Sequence, residues 1–217
     1  YIADLHIHSK YSRATSRSWN RSRWRLGQKE GHRPGRHRRL HPPRLAAELR
    51  DKLAEAEEGL YTLKGAGPDA PGSITGEISS IYKKNGKVRK VHSLILLPHL
   101  EAAETLSRRL EPLATSTPTE AHPGLDCRDL LEITLESCPD AVFIPAHIWT
   151  PHFSLFGAFS GFDTIGECFG DLTGNPALET GLSSDPTMIC RCSALDGYLV
   201  SNSDAHSPSK LGREANL

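Results

Sequence analysis

No run of about 18 apolar residues occurs in the 217 residues, which excludes a membrane-spanning helix. The chain opens Tyr1-Ile2-Ala3-Asp4, without an initiator Met, a basic n-region or an apolar h-region. No signal peptide is expected, and the chain reads as a piece excised from a longer protein. Five cysteines with no CxxC pair argue against a disulfide framework and against a structural zinc ribbon; Cys190 and Cys192, a lone CxC, read as ordinary thiols. That usage fits a reducing cytoplasm. No repeat at a fixed period is present. Net charge is also lacking, with 26 basic and 26 acidic residues, but the balance hides a split. Between Arg17 and Arg44 stand ten Lys or Arg against the single acid Glu30, a local excess of nine positive charges that the rest of the chain cancels.

Outside that stretch, short apolar runs alternate with amphipathic ones, the pattern of βα units. Ile2 to Ile7 reads as a strand, and Leu45, Leu49, Leu53, Ala56 and Leu60 recur at helical spacing. Strand-like Ile74 to Ile81 and Val88 to Leu97 flank Asn85-Gly86, a two-residue hairpin signal because both central residues must reach positive φ. Helices are expected over about His99 to Leu110 and Cys127 to Cys138. A buried strand, Ala141 to Ala146, ends at His147. A long aromatic loop follows from Ile148 to Gly161, and a last apolar run, Tyr198 to Ser201, ends in Asn202-Ser203-Asp204-Ala205-His206.

Polar clusters thus stand at strand ends, where parallel α/β folds gather their ligands. In Asp4-Leu5-His6-Ile7-His8, residues two apart share a face, so His6 and His8 project together with Asp4. Glu77 follows a strand start and offers two oxygens. His92 interrupts the apolar Val91 to Leu96, His147 closes a strand, and Asp204 and His206 form DxH after another. Each alone reads more simply as a core or solvent-facing polar residue. Together at strand ends they are an improbable coincidence. Carboxylate oxygens mixed with imidazoles suit Zn, Mn or Fe, and the candidates outnumber the ligands of one tetrahedral ion. A multinuclear hydrolytic centre is the inference.

Asp4-Leu5-His6-Ile7-His8-Ser9, Gly76-Glu77-Ile78-Ser79, Ala146-His147-Ile148-Trp149-Thr150-Pro151 and Ser201-Asn202-Ser203-Asp204-Ala205-His206 resemble the polymerase-and-histidinol-phosphatase (PHP) superfamily. Within it, Glu77 to Tyr82, Phe153-Ser154-Leu155-Phe156-Gly157 and Leu178 to Pro186 are similar to endonuclease Q. The resemblance implies cutting of DNA on the 5′ side of deaminated bases, such as uracil and hypoxanthine, and of abasic sites. It further implies that residues 1–217 are one PHP-type catalytic domain, a truncated fragment lacking the following zinc-binding and helical regions. A helicase is excluded by the missing GxxxxGK(S/T) phosphate loop.

The resemblance also implies a ligand segment GTGDFTHP after the first helix, where this chain has Arg33 to Pro43. Codons compatible with Glu30 to Pro43, read one nucleotide on, give KGIDLVGTGDFTH. Residues 17–43 are therefore expected to be an out-of-frame translation of a helix, strand and ligand loop. The same holds for 114–124, where Ala114 to Glu120 re-reads as NIHSDG. A third lesion is expected around Ile189 to Cys192. The alternative for the basic stretch is a DNA-binding arm in which Arg residues neutralise phosphates and Trp19 and Trp24 stack bases.

The expected fold is α/β, a distorted (β/α)7-type PHP barrel damaged by the frameshifted segments. Two or three divalent ions (Zn, Mn, Mg or Fe) are expected on His6, His8, Glu77, His92, His147, Asp204 and His206, with catalytic roles for Asp204, His206 and Glu77. Trp149, His152, Phe153 and Phe156 would face an extruded base, or simply pack the loop. Lys83, Lys84, Lys87, Arg89 and Lys90 would grip phosphates, or form a solvated hairpin. The expected partners are DNA containing deaminated bases and replication or repair factors, with no membrane, in the cytoplasm. The rival readings are a small-molecule phosphatase of the same superfamily and a non-catalytic remnant lacking two ligands.

Overall fold

The computed structural model describes residues 2–8, 12, 15, 43–65, 71–113, 121–172, 177–184, 187 and 198–217. The stretches read as out of frame lie outside the described residues apart from Pro43 and residues 121–124, and so do Trp19, Trp24, Cys190 and Cys192. The chain divides into two compact units: Tyr1–Gly76 with Leu96–Ser107 and Ser201–Leu217, and Glu77–Ile95 with Arg108–Val200.

In the first unit, helix α1 (Pro43–Lys52) is followed by strands β1 (Leu53–Glu57) and β2 (Leu60–Leu63), paired antiparallel with Leu53 opposite Leu63. The helical spacing that runs on to Leu60 in the sequence overshoots. Gly59, at φ 74°, reverses the chain and lets Leu53 to Glu57 pair across the turn, and that pairing replaces further helix. Helix α2 (Leu100–Leu110) starts one residue after its expected start. It buries Ala102, Ala103, Leu106 and Leu110, a single stripe at helical spacing.

The expected strand Ile2 to Ile7 is a correction. The segment has only isolated bridges, Ala3 to Asn216 antiparallel and Ile7 to Ala205 parallel. Between them side chains take over from a ladder: Asn202 Oδ1 accepts from Leu5 N at 2.7 Å, and Asp4 Oδ1 accepts from Ser203 N at 3.1 Å.

β3 (Ile74–Lys84) and β4 (Lys87–Leu97), which belong to the second unit from Glu77 to Ile95, meet at the Asn85-Gly86 turn, where both residues hold positive φ (53° and 72°) as a two-residue hairpin demands. With β5 (Ala121–Pro123), parallel to β3, and β6 (Val142–Pro145) they form one sheet in the order β5-β3-β4-β6. Helix α3 (Cys127–Ser137) starts at Asp126, whose side chain accepts from Arg128 N, and buries Cys127, Leu130, Leu131 and Thr134 at helical spacing. The short α4 (Ile165–Phe169) is capped by Thr164. Strands β7 (Leu178–Glu179) and β8 (Leu199–Val200) pair in parallel.

The core of this unit joins Tyr82, Val91, Leu131, Ile148, Leu155, Phe162 and Phe169. Tyr82 Oη lies 3.7 Å from Cys168 Sγ, and burial pushes both groups up in pKa, so this contact is a neutral, structural one. The architecture is mixed α/β. The described strands form sheets of two, four and two strands, and no closed barrel is among them. The strand that the resemblance implies between residues 17 and 43 lies outside the described residues.

Candidate metal centre

Six of the seven metal-ligand candidates fall into two groups of three, one in each unit: His6, His8 and Asp204, and Glu77, His92 and His147. Within each, the possible ligand atoms lie within 4.8 Å of one another.

In the first group, the bridge between Ile7 and Ala205 sets the two segments side by side, and His8 N donates to Ala205 O at 3.0 Å. Asp204 Oδ1 then lies 2.5 Å from His8 Nε2 and 3.5 Å from His6 Nε2. Both imidazoles are buried. Behind them Asp4 accepts backbone amides of His6, Ser203 and Gly212. Burial raises its pKa above the ordinary 3.8 even though these bonds lower it. His206 stands beside the group. Its ring stacks on His8 at 3.7 Å, and its Nδ1 donates to Asp204 O at 2.9 Å, which leaves Nε2 as the proton-accepting nitrogen.

In the second group, Glu77 on β3 and His92 on β4 come from neighbouring strands, and Glu77 Oε1 lies 2.6 Å from His92 Nδ1 and 3.3 Å from His147 Nε2. Thr150 orders the third side chain of this group. Its hydroxyl donates to His152 O at 2.8 Å and so accepts from His147 Nδ1 at 3.1 Å. His147 Nε2 is thereby a lone-pair donor turned toward a carboxylate, a juxtaposition that a cation converts into attraction. Two nitrogens and one oxygen per group are a donor set suited to a divalent transition metal, so the residues fit such an ion.

Both groups include a non-glycine residue in the left-handed region, Asp204 at φ 46° and His147 at φ 31°. Such backbone costs on the order of 1–3 kcal/mol and is held only where its surroundings enforce it. At His147 the enforcement is visible. Glu179, fully buried, accepts His147 N at 2.8 Å through Oε2, and its main-chain oxygen accepts Ile148 N. Gly181, itself at φ 64°, packs so closely that a Cβ there would lie 2.5 Å from His147 Cβ. Sequence reasoning left Asp4, Glu179 and Gly181 without a role. The legible signal was an acid inside a short apolar run followed two residues later by glycine.

The remaining candidates are dispersed. Trp149 and Phe156 are half-buried against the core, while the Phe153 ring lies 4.9 Å from that of His92. His152 is exposed and stacks on Phe159. Of the hairpin cations, Lys83 is exposed, whereas Lys84 pairs with Asp126 at 3.1 Å and donates to Cys168 O at 2.9 Å. Arg89 is buried, with its guanidinium 4.2 Å over the Phe162 ring and donating to Gly161 O. Lys84 and Arg89 thus act within the unit.

The structure aligns over 99% of its length with the lesion-specific endonuclease Q of Pyrococcus furiosus, with a TM-score of 0.79 and 26% identity. The chain shares the fold of endonuclease Q. A second endonuclease Q structure, a complex with a 27-mer duplex carrying an abasic lesion at the active site, matches at a TM-score of 0.78 and 26% identity. The chain spans about half of these endonuclease Q chains, 51% and 52%. It also aligns with 92% of a Bifidobacterium adolescentis protein assigned as a metal-dependent phosphoesterase, at a TM-score of 0.55 and 12% identity, a likeness of fold alone. The uncharacterised protein YqxK of Bacillus subtilis is 36% identical over 131 residues, which is 58% of this chain and 32% of YqxK. No family model matches. The two groups of histidine and carboxylate side chains support the binding of divalent metals. Among the described residues no helix is long and apolar enough to cross a membrane.

Proposed function

We propose that the chain is a metal-dependent phosphodiesterase that nicks DNA on the 5′ side of deaminated bases or abasic sites in repair, with residues 1–217 as its PHP-type catalytic domain of distorted (β/α)7 type. The observation that carries this reading is a pair of groups, each of two imidazoles and one carboxylate, in a chain with the fold of a lesion-specific endonuclease.

His6, His8 and Asp204 would hold one divalent ion, and Glu77, His92 and His147 another, zinc, manganese or iron suiting the donors. A bound ion supplies Lewis-acid charge to a phosphoryl oxygen. The remaining work falls to the chain itself. Asp204 and Glu77 contribute the anionic charge that retains the ions. Thr150 fixes the His147 tautomer. His206, with its proton held at Nδ1 by Asp204 O, exchanges protons through Nε2 with the nucleophile or the leaving oxygen. Exposed Lys83 meets a backbone phosphate, and Trp149, His152 and Phe153 offer aromatic surface to an unstacked base.

The test is nicking of oligonucleotides carrying uracil, hypoxanthine, an abasic site or no lesion, by this chain and by a version with GIDLVGTGDFTHP in place of Gly31 to Pro43. Cleavage 5′ of the lesions, faster in the restored version, is the expected result. Hydrolysis of phosphate monoesters and of no oligonucleotide would favour the small-molecule phosphatase, and inactivity of both versions would favour the remnant.

A further inference from the structure

The loop from Ile148 to Gly161 contains five aromatic or imidazole rings, and four are accounted for by the core, the His92 ring or the exposed His152 itself. Phe159 is different. It is 72% exposed, and one face of its ring is covered by His152, with centroids 4.6 Å apart and planes inclined by only 15°. The loop that carries the pair is tightly wound. Ser154 Oγ donates to Thr150 O at 2.6 Å and Phe159 N to Pro151 O at 3.2 Å, and a Cβ on Gly157 would come within 2.5 Å of Thr150 O. Ser160, next in sequence, is joined to Lys90 of β4 in both directions, Lys90 N to Ser160 O and Ser160 Oγ to Lys90 O, each at 3.3 Å. The Lys90 ammonium lies 5.3 Å from the centroid of the Phe153 ring, on the same loop. A preordered ring pair on a loop that also holds a cation suits a nucleotide, with a base on the ring and a phosphate on the cation. An apolar protein surface would leave the polar edge of the exposed His152 ring without a matching group.

We propose that Phe159, backed by His152, is a stacking platform for one unpaired nucleobase, with Lys90 serving the adjoining phosphate. This deepens the DNA-processing reading and rests on it for the identity of the strand. Stacking on an aromatic side chain contributes about 1–3 kcal/mol per base, so loss of the ring weakens single-strand binding at least about 5-fold.

The test is anisotropy of fluorescein-labelled oligothymidylate with the full chain in EDTA, where no cation is needed for stacking. Phe159→Ala should bind at least about 5-fold more weakly than the parent, and Phe159→Trp should restore binding. The fluorescence that Phe159→Trp adds over the parent should be quenched by oligothymidylate and not by an abasic oligomer of equal length. Parental affinity in Phe159→Ala, or equal quenching by both oligomers, overturns the platform. Because the assay excludes metal, quenching without any lesion cleavage would sustain the platform and overturn the nuclease. Lesion cleavage without quenching would do the reverse.

Discussion

In the group of His6, His8 and Asp204 the imidazoles are buried and the carboxylate stands on the left-handed turn, 29% exposed; in the group of Glu77, His92 and His147 the carboxylate is buried at 4% and an imidazole takes the turn. The supports differ as well. Glu77 and His92 sit on adjacent strands of a regular sheet, whereas His6, His8 and Asp204 depend on two isolated bridges and the side chains of Asp4 and Asn202. A ladder fixes its residues through many equivalent bonds, so any one of them can be lost. A side-chain network has few bonds, each to a specific acceptor. The second group should therefore fail mainly at its strained turn, and the first at its polar supports.

The largest effect is expected at that turn. Gly181→Ala combines a left-handed alanine with overlap on His147, a loss on the order of 3 kcal/mol in stability, readable from urea midpoints, together with loss of metal from the second group. If the variant keeps both stability and metal, the turn is not what holds His147. Next is Thr150→Val, which removes the acceptor that sets the His147 tautomer. Metal affinity should drop roughly 10- to 100-fold, by competition with a chromogenic chelator, and the matching Ser12→Ala should cost less because Ser12 Oγ stands farther from His8 Nδ1, at 3.3 Å.

How much of this was legible beforehand follows the same division. The Asn85-Gly86 turn, the helices from Leu100 and Cys127 and the short strand before His147 carry local signals, a turn pair or a periodic face, and each stands within a residue or two of its reading, while the first hairpin strand runs three residues past its expected end at Ile81 to Lys84. The six residues that come together in two groups were legible as candidates because each interrupts or closes an apolar run. The separation of His206 from the six was not, since a DxH spacing says nothing of which nitrogen the main chain engages. Nor was the ending of α1 at Lys52, where pairing with a distant strand overrides helical spacing, or the engagement of Lys84 and Arg89, which depends on Asp126, Cys168 and Phe162 far along the chain. A closed barrel was expected and is not among the described strands.

A moderate effect should come from Asp4. Its carboxyl has a raised pKa in the folded chain, so the folded state binds the proton more tightly than the unfolded one, and stability falls as pH rises from about 3.8 through the raised value. Asp4→Asn should abolish that slope in denaturation midpoints followed upward from about pH 3.8, while also lowering the metal content of the first group. A slope unchanged by the substitution would assign it to another group.

The smallest effects belong to the hairpin. Lys84→Ala should lower stability by about 0.5–1 kcal/mol through its half-exposed pair with Asp126, leaving the salt dependence of DNA binding alone. Lys83→Ala should do the opposite, reducing the slope of log affinity against log salt by about one. Identical behaviour of the two would erase the distinction between them.

Elemental analysis of the purified chain beside His8→Ala and His92→Ala bears most directly on the central claim that each unit holds its own ion. The account predicts at least two divalent transition-metal equivalents per chain in the parent, on the assignment of His8 and His92 to separate groups. Either substitution should remove about one of them. A parent without bound metal, or a metal content that neither substitution changes, would contradict it.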